Sequence, residues 1–298
     1  MHKTIISNVW NEEYLLPWWL NHHKDLFDHG IIMDYQSTDR SVEIIKDICP
    51  TWEVVTPTNP QDFSVMNNEE NFERIERGVE GYKCILNTTE FLFHENFHQY
   101  VEDFDKLDYD GFSLEPISMV DPSDDWDEKL DHNIPLPLQK HHGFYEHDFA
   151  VSRRAFYIDG SDVNADLLPE SYPWRGNRII HKAPYGQYWP GRHGFKNNLI
   201  NILNDETNIY MLWYGFSPRT TEMVQRKVQI RDRVPFEDQK EMRSFHHLWS
   251  EDAIKGWMNY LWDSVSCGNG MVSIEHNGHK VDLKEDSTLG KIYEKLYV

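Results

Sequence analysis

The sequence predicts an α/β fold, a mixed and mostly parallel sheet flanked by helices, followed by a helical C-terminal extension. Three observations predict it. The apolar run Thr4-Ile5-Ile6 ends in the polar stretch Ser7-Asn8-Val9-Trp10-Asn11-Glu12-Glu13, and a second run, Gly30-Ile31-Ile32-Met33, ends in Asp34-Tyr35-Gln36-Ser37-Thr38-Asp39. Between them Leu15, Leu16, Trp18, Trp19, Leu20, His23 and Leu26 recur at three- and four-residue intervals. That is the period of an amphipathic helix returning the chain to a parallel neighbour. The two polar turns therefore lie side by side at one edge of the sheet. In open α/β sheets ligands bind beyond the carboxyl ends of the strands, so a nucleotide-type pocket is expected there.

The later elements follow in order. Ser41 to Ile48 reads as a helix and Trp52-Glu53-Val54-Val55 as a third strand, closed by the breakers Thr56-Pro57-Thr58-Asn59-Pro60. Residues 68–80 form a charged helix. Tyr82-Lys83-Cys84-Ile85-Leu86 is a buried strand that delivers a third polar turn, Asn87-Thr88-Thr89-Glu90-Phe91. From Glu102 to Asp131 the chain is acidic and solvated around a strand from Gly111 to Val120. Residues 143–160 and 174–195 read as short strands and loops rich in His, Tyr, Trp and Gly. Asn208 to Tyr214 is a late strand, a helical pattern runs from Thr220 to Asp263, and Met271 to Leu283 reads as a hairpin turning at Asn277-Gly278. The expected division is a nucleotide-binding domain over residues 1–217 and a helical extension with a terminal hairpin over 218–298.

Composition limits the function. Fifty acidic against 29 basic side chains give a net charge of −21, which repels a nucleic-acid backbone and an anionic membrane, so any phosphate ligand needs a local basic pocket. The 14% aromatic fraction supplies core area that the 39% hydrophobic content understates. Cys49, Cys84 and Cys267 lie far apart without CxxC spacing, and the N-terminus has no long apolar segment. A soluble, cytoplasmic protein is the expectation, its oligomeric state open. There is no P-loop, GxSxG or GxGxxG, which removes the common NTPase, hydrolase and dinucleotide readings. The pairs His22-His23, His141-His142 and His246-His247 lack a zinc spacing, because adjacent helical residues point about 100° apart.

The three strand ends together suggest a family. Asn11-Glu12-Glu13 with Leu16, Trp18 and Trp19, then Asp34 to Ser41, then Glu90-Phe91-Leu92, resemble the family 2-like glycosyltransferases of the GT-A fold, over roughly the first ninety residues. The resemblance implies a GT-A, Rossmann-like sheet and a nucleoside-diphosphate sugar as donor, with a glycan or other hydroxyl group as acceptor. Asn11 and Glu13 would line the nucleotide edge, with Asp34 and Asp39 at the base or ribose. The family also carries an Asp-x-Asp-Glu-Phe motif for a divalent ion, Mn²⁺ or Mg²⁺, on the diphosphate. Here Asn87, Thr88 and Thr89 stand in its place, with Glu90 and Phe91 kept. One carboxylate among neutral oxygens holds a hard cation less tightly than two. Either Glu90 and a distant side chain such as His193 keep a weakened ion, or fixed protein cations replace it, or the donor site is dead.

A cation source exists. Lys182, Arg192 and His193 fall in a Gly/Pro-punctuated loop that resembles a late His-bearing segment of GT-A enzymes, and Arg219, Arg226, Lys227, Arg231 and Arg233 share one segment. Arginine forks suit phosphate oxygens, although salt bridging to the acidic surface would select the same residues. Glycosyl transfer leaves negative charge on the departing diphosphate and, for inversion, needs a base for the acceptor. Glu90, Glu115 and Asp148 are the candidate carboxylates, and Glu90 also fits a metal ligand or a helix cap. Three functions remain open: a glycosyltransferase, a glycosyltransferase-like protein that binds the nucleotide or sugar without turnover, and a phosphate-ester or nucleotide hydrolase.

Overall fold

The computed structural model describes residues 1–145, 178–188, 191–192, 200–204, 207–240, 247–266 and 280–298. Its first half alternates strand and helix: β1 (Lys3–Val9), α1 (Leu16–His23), β2 (His29–Asp34), α2 (Ser41–Ile48), β3 (Glu53–Val55), α3 (Val65–Glu76) and β4 (Tyr82–Ile85). Then come β5 (Glu90–Phe93), α4 (Phe97–Phe104), β6 (Gly111–Met119), α5 (Leu136–Gln139), β7 (His142–Tyr145), β8 (Arg178–His181), β9 (Ile202–Leu203) and β10 (Tyr210–Trp213). The C-terminal part carries α6 (Thr221–Val228), a 3-10 turn (Gln229–Arg233), α7 (Phe236–Lys240), α8 (Glu251–Ser266), β11 (Lys280–Asp282) and α9 (Leu289–Tyr297).

All strands among the described residues join one mixed sheet in the order β11-β7-β6-β8-β4-β1-β2-β3, with β10 on β5 and β6, and β9 on β6. Strands β1 to β4 pair in parallel, whereas β8 is antiparallel to both β4 and β6. The order 3-2-1-4 is that of a Rossmann-like half. Side-chain alternation divides the core. Ile5, Ile32 and Cys84 face one layer with Leu16, Trp19 and Leu20 of α1 and Ile45 of α2, while Ile6, Met33 and Ile85 face Phe72 of α3 on the other. Strands covered on both faces read as continuous apolar runs, which is why these were visible in the sequence.

Helix α1 starts where the Glu12 carbonyl accepts the Leu15 and Leu16 N–H groups at 3.1 and 3.0 Å, and α3 where Ser64 Oγ accepts Asn67 N–H at 3.1 Å. The helical pattern expected from Thr220 to Asp263 is interrupted: Val234 leaves helical geometry and Pro235, which has no N–H, separates α6 and its 3-10 turn from α7. Of the expected hairpin, β11 pairs with β7, and the Asn277-Gly278 turn lies outside the described residues. The C-terminal α9 returns to the core, where Tyr297 stacks on Phe93 of β5 with ring centroids 6.4 Å apart. No helix among the described residues is long and apolar enough to cross a membrane.

Candidate functional site

The chain runs β1, β2, β3 in one direction and crosses back through α3 to β4 on the other side of β1. The switch point is therefore between β1 and β4. A cavity of about 190 Å³ opens just beyond their carboxyl ends. Asn8 and Glu12 reach it from β1, Asn87 to Glu90 from the β4–β5 connection, and Glu69 from α3. Arg178 comes from β8, Trp213 from β10, and Arg226 and Lys227 from α6. Its basic side chains, Arg178, Arg192, Arg226 and Lys227, outnumber its carboxylates, Glu12, Glu69 and Glu90, in a protein that is otherwise strongly acidic.

Each carboxylate is engaged. Arg178 donates from Nε and Nη2 to the two oxygens of Glu90, at 2.9 and 2.6 Å, and from Nη1 to the Gly191 carbonyl at 2.7 Å. The N–H and side-chain amide of Asn87 donate to Glu90 at 2.8 and 2.9 Å. Arg192 donates to Glu69 at 3.3 Å and to the Asn87 side-chain oxygen at 2.6 Å, and lies over the Phe72 ring at 4.5 Å. Its φ of 63°, beside Gly191 at 81°, lies in the left-handed region. Glu12 accepts from Arg226 Nε and, at 2.9 Å, from Thr88 Oγ1, and Arg226 Nη2 donates to that hydroxyl at 3.2 Å.

Lys227 differs from the three arginines. It is buried, and its ammonium donates no hydrogen bond to any described residue, lying only against the Phe216 ring at 3.9 Å. Burial, helped by the neighbouring Arg226 charge and opposed by Glu12, pushes its pKa down to about 7. Among the described residues its ammonium hydrogens have no acceptor.

The remaining sequence-predicted residues divide. Arg192 and Arg226 line the cavity with Glu90, whereas Asn11, Glu13, Asp34 and Asp39 do not. Asn11, Glu13 and Asp39 join the first two turns to each other, and Asp34 bonds within the second. Asn11 donates its N–H to Ser37 Oγ at 3.0 Å and accepts Thr38 N–H at 2.8 Å, and Asp39 accepts Glu13 N–H at 3.0 Å. Asp34 accepts Ser37 N–H at 3.0 Å, and Glu13 accepts Arg40 N–H at 3.1 Å. Arg219 sits behind the cleft, donating to Asn259 and lying 5.7 Å over Trp126. Glu115 is on β6 with Tyr100 and Tyr210 as its electrostatic neighbours, not in the cavity. Asp148 and His193 lie outside the described residues.

A divalent ion on the diphosphate does not fit the donors described here. A carboxylate offers about four lone-pair positions, and Glu90 already receives four N–H groups. Thr88 is committed to Glu12 and the Asn87 oxygen to Arg192. Among the described residues no grouping with metal-ligand geometry falls in the cleft.

Sequence reasoning passed over Arg178, Glu69 and Glu12. Glu12 stood in the first turn, and the left-handed φ of 54° at Asn11 that sets it apart from its neighbours is backbone geometry the sequence does not display. Glu69 stood in the charged helix, where nothing local separates it from Glu70 or Glu73.

Among solved structures, the chain is similar to residues 1–349 of TarS from S. aureus, with 15% identity, 92% of this chain and 76% of that one covered, and a TM-score of 0.41. The same fragment has been solved with UDP-GlcNAc, matching at 14% identity, 92% and 77% coverage and a TM-score of 0.38. Glucosyl-3-phosphoglycerate synthase from Mycobacterium tuberculosis, solved with Mn²⁺, UDP and glucosyl-3-phosphoglycerate, matches at 14% identity over 39% of this chain and 44% of that one, with a TM-score of 0.28. These are distant likenesses, and no residue role is carried over from them. No protein-family model matches the chain, and no curated protein matches it in sequence.

Proposed function

We propose that the chain is a glycosyltransferase that takes a nucleoside-diphosphate sugar and passes the sugar to a hydroxyl acceptor, with protein cations in place of a metal on the diphosphate. The observation that carries the reading is Lys227. A buried ammonium whose donors have no acceptor among the described residues, next to Arg226 and open to a cavity at the switch point, is suited to anionic oxygens. In transfer the bond from the anomeric carbon to the diphosphate oxygen breaks while the acceptor oxygen bonds to that carbon. Lys227 and Arg226 would neutralise the charge arriving on the diphosphate, a role that grows through the transition state. Asn11, Glu13, Asp34 and Asp39 would act by setting the shape of the nucleotide edge. Asp148 is the remaining candidate for the acceptor's base.

A second reading, a binding protein without turnover, is favoured by one observation: Glu12, Glu69 and Glu90 are all in ion pairs, which leaves none of them free as a base. One experiment separates the two. The full chain is screened for thermal stabilisation by UDP, GDP and TDP and their sugars, with Mn²⁺ or with EDTA, and stabilising donors are then tested for transfer to mixed glycan acceptors. Metal-independent stabilisation with transfer supports the transferase, stabilisation alone the binding protein, and release of free sugar or phosphate without acceptor a hydrolase. Absence of any shift at millimolar nucleotide removes the donor-site assignment.

A further inference from the structure

At the opposite end of the sheet from the β1–β3 edge, three side chains that line no part of the cleft converge. His142 and Asp282 stand directly opposite each other in the antiparallel β7–β11 pair, and His141 immediately precedes β7. His141 Nδ1 lies 2.7 Å from one Asp282 oxygen and His142 Nδ1 3.5 Å from the other. The imidazole centroids are 4.2 Å apart, and one ligand atom from each of the three residues falls within 4.8 Å of the others. The helix argument that sets adjacent histidines apart does not apply here, because His141 precedes β7 and only His142 is in the strand, so neither helical spacing nor strand alternation fixes the angle between them.

From this convergence we propose that His141, His142 and Asp282 form a binding site for a late first-row divalent ion of the zinc class, clipping the C-terminal strand β11 to β7. Two imidazoles and a carboxylate are the ligand set such ions prefer, whereas Mg²⁺ demands mostly oxygen. Nitrogen and oxygen ligands about 2.0–2.1 Å from a tetrahedral zinc lie about 3.4 Å apart, so small side-chain rotations from the observed separations suffice. The backbone already holds the frame. The His141 carbonyl accepts Leu283 N–H at 2.9 Å, the His142 carbonyl accepts Val120 N–H at 2.9 Å, and Asp282 accepts Lys284 N–H at 3.0 Å. The Trp262 ring, 5.7 Å from His142, walls one side. The three side chains retain 19%, 24% and 19% exposure, which gives an ion an entry path and water the open coordination positions. Because β11 leads into α9 and Tyr297 of α9 stacks on Phe93 of β5, the ion would fasten the segment that backs the strand beginning at Glu90.

The test uses the full chain, stripped with EDTA and titrated calorimetrically with ZnCl₂. The expected result is one equivalent bound at micromolar or lower concentration, a raised melting temperature, and no competition from millimolar Mg²⁺. Asp282→Asn and His142→Gln, each confirmed as folded by circular dichroism, should weaken binding at least tenfold. A zinc-edge anomalous map of wild-type crystals locates the ion without any variant, so a variant that fails to fold leaves the question decidable. No zinc uptake at 100-fold excess, unchanged affinity in both variants, or an anomalous peak elsewhere among the sixteen histidines would overturn the site.

Discussion

Arg178 meets both oxygens of Glu90 at 2.9 and 2.6 Å across 88 residues of sequence, in a pair whose side chains are 5% and 2% exposed. It joins the antiparallel β8 to the start of β5, and Trp19 of α1 donates to the Glu90 carbonyl at 3.0 Å. Removing one partner of a buried pair leaves an uncompensated charge, which typically costs about 3–5 kcal/mol. Arg178→Met should lose that much in urea denaturation. Arg178→Met with Glu90→Gln should recover most of it, since the amide oxygen still accepts from Asn87. A double variant as unstable as the single would mean that charge compensation is not what the pair supplies.

Lys227 links stability to pH in a defined direction. Its folded pKa of about 7 lies below the ordinary lysine value of 10.5, so the unfolded chain binds its proton more tightly. The penalty is complete below pH 7, shrinks as the folded ammonium deprotonates, and vanishes near 10.5. Lys227→Met should therefore stabilise the protein by roughly 1–3 kcal/mol at pH 6–7, after allowing for the lost contact with Phe216, and by nothing at pH 10.5. Under the proposed function the same proton would serve an anion. Affinity for a nucleoside diphosphate should fall by up to about tenfold per pH unit above pH 7 in the wild type and lose that dependence in Lys227→Met, measured by calorimetry.

What the sequence made legible was local. Apolar runs covered on both faces and a helix of period 3.6 revealed β1, α1, β2 and β4, and with them the side of the sheet where the cleft lies. Which turn residues face that cleft was not legible, because Asn11 takes a left-handed φ of 54° and commits its own side chain to the second turn. Glu12 faces in, and Glu13 is spent on Arg40. The ion pairs that fill the cleft join residues far apart in the chain, as Arg226 and Glu12 do, and no periodicity encodes such a pairing. The short β5 was not read as a strand, and β7 was read only as part of a stretch of short strands and loops, for a related reason: strands of four residues take their identity from the partners β10, β6 and β11.

Gly111 tests how closely β8 must approach. A Cβ there would lie 2.3 Å from the Ile180 carbonyl oxygen and 2.8 Å from the His181 Cα, both backbone atoms that cannot rotate away. Gly111→Ala must part β6 from β8 and displace Arg178 at the other end of that pairing, where it faces Leu114. Overpacking of this kind costs about 1–3 kcal/mol. The variant should melt earlier and also bind nucleotide more weakly than its stability alone explains, whereas an unchanged melting temperature would show that the two strands have room to spare.

His22 and His23 set the acid limit. His23 is fully buried with Nδ1 2.8 Å from the Trp19 carbonyl, and its Nε2 accepts Leu92 N–H at 3.2 Å, so the neutral ring carries its proton on Nδ1. His22 Nε2 lies 2.6 Å from the Leu92 carbonyl and therefore donates to it. Burial pushes the His22 pKa down to about 4 and that of His23 well below its ordinary value of 6.5, with the His22 charge adding to the second. Both folded values are depressed, so the unfolded chain takes up the protons first. The stability these rings contribute is present in full above pH 6.5 and is lost as pH falls toward 4. Two such groups give a slope of up to about 2.7 kcal/mol per pH unit, read from urea midpoints at successive pH values. His22→Gln keeps an N–H aimed at the Leu92 carbonyl and removes one proton site, so this histidine part of the slope should halve. Because titrating carboxylates act equally in both proteins, identical slopes in wild type and variant would exclude His22 from the acid transition.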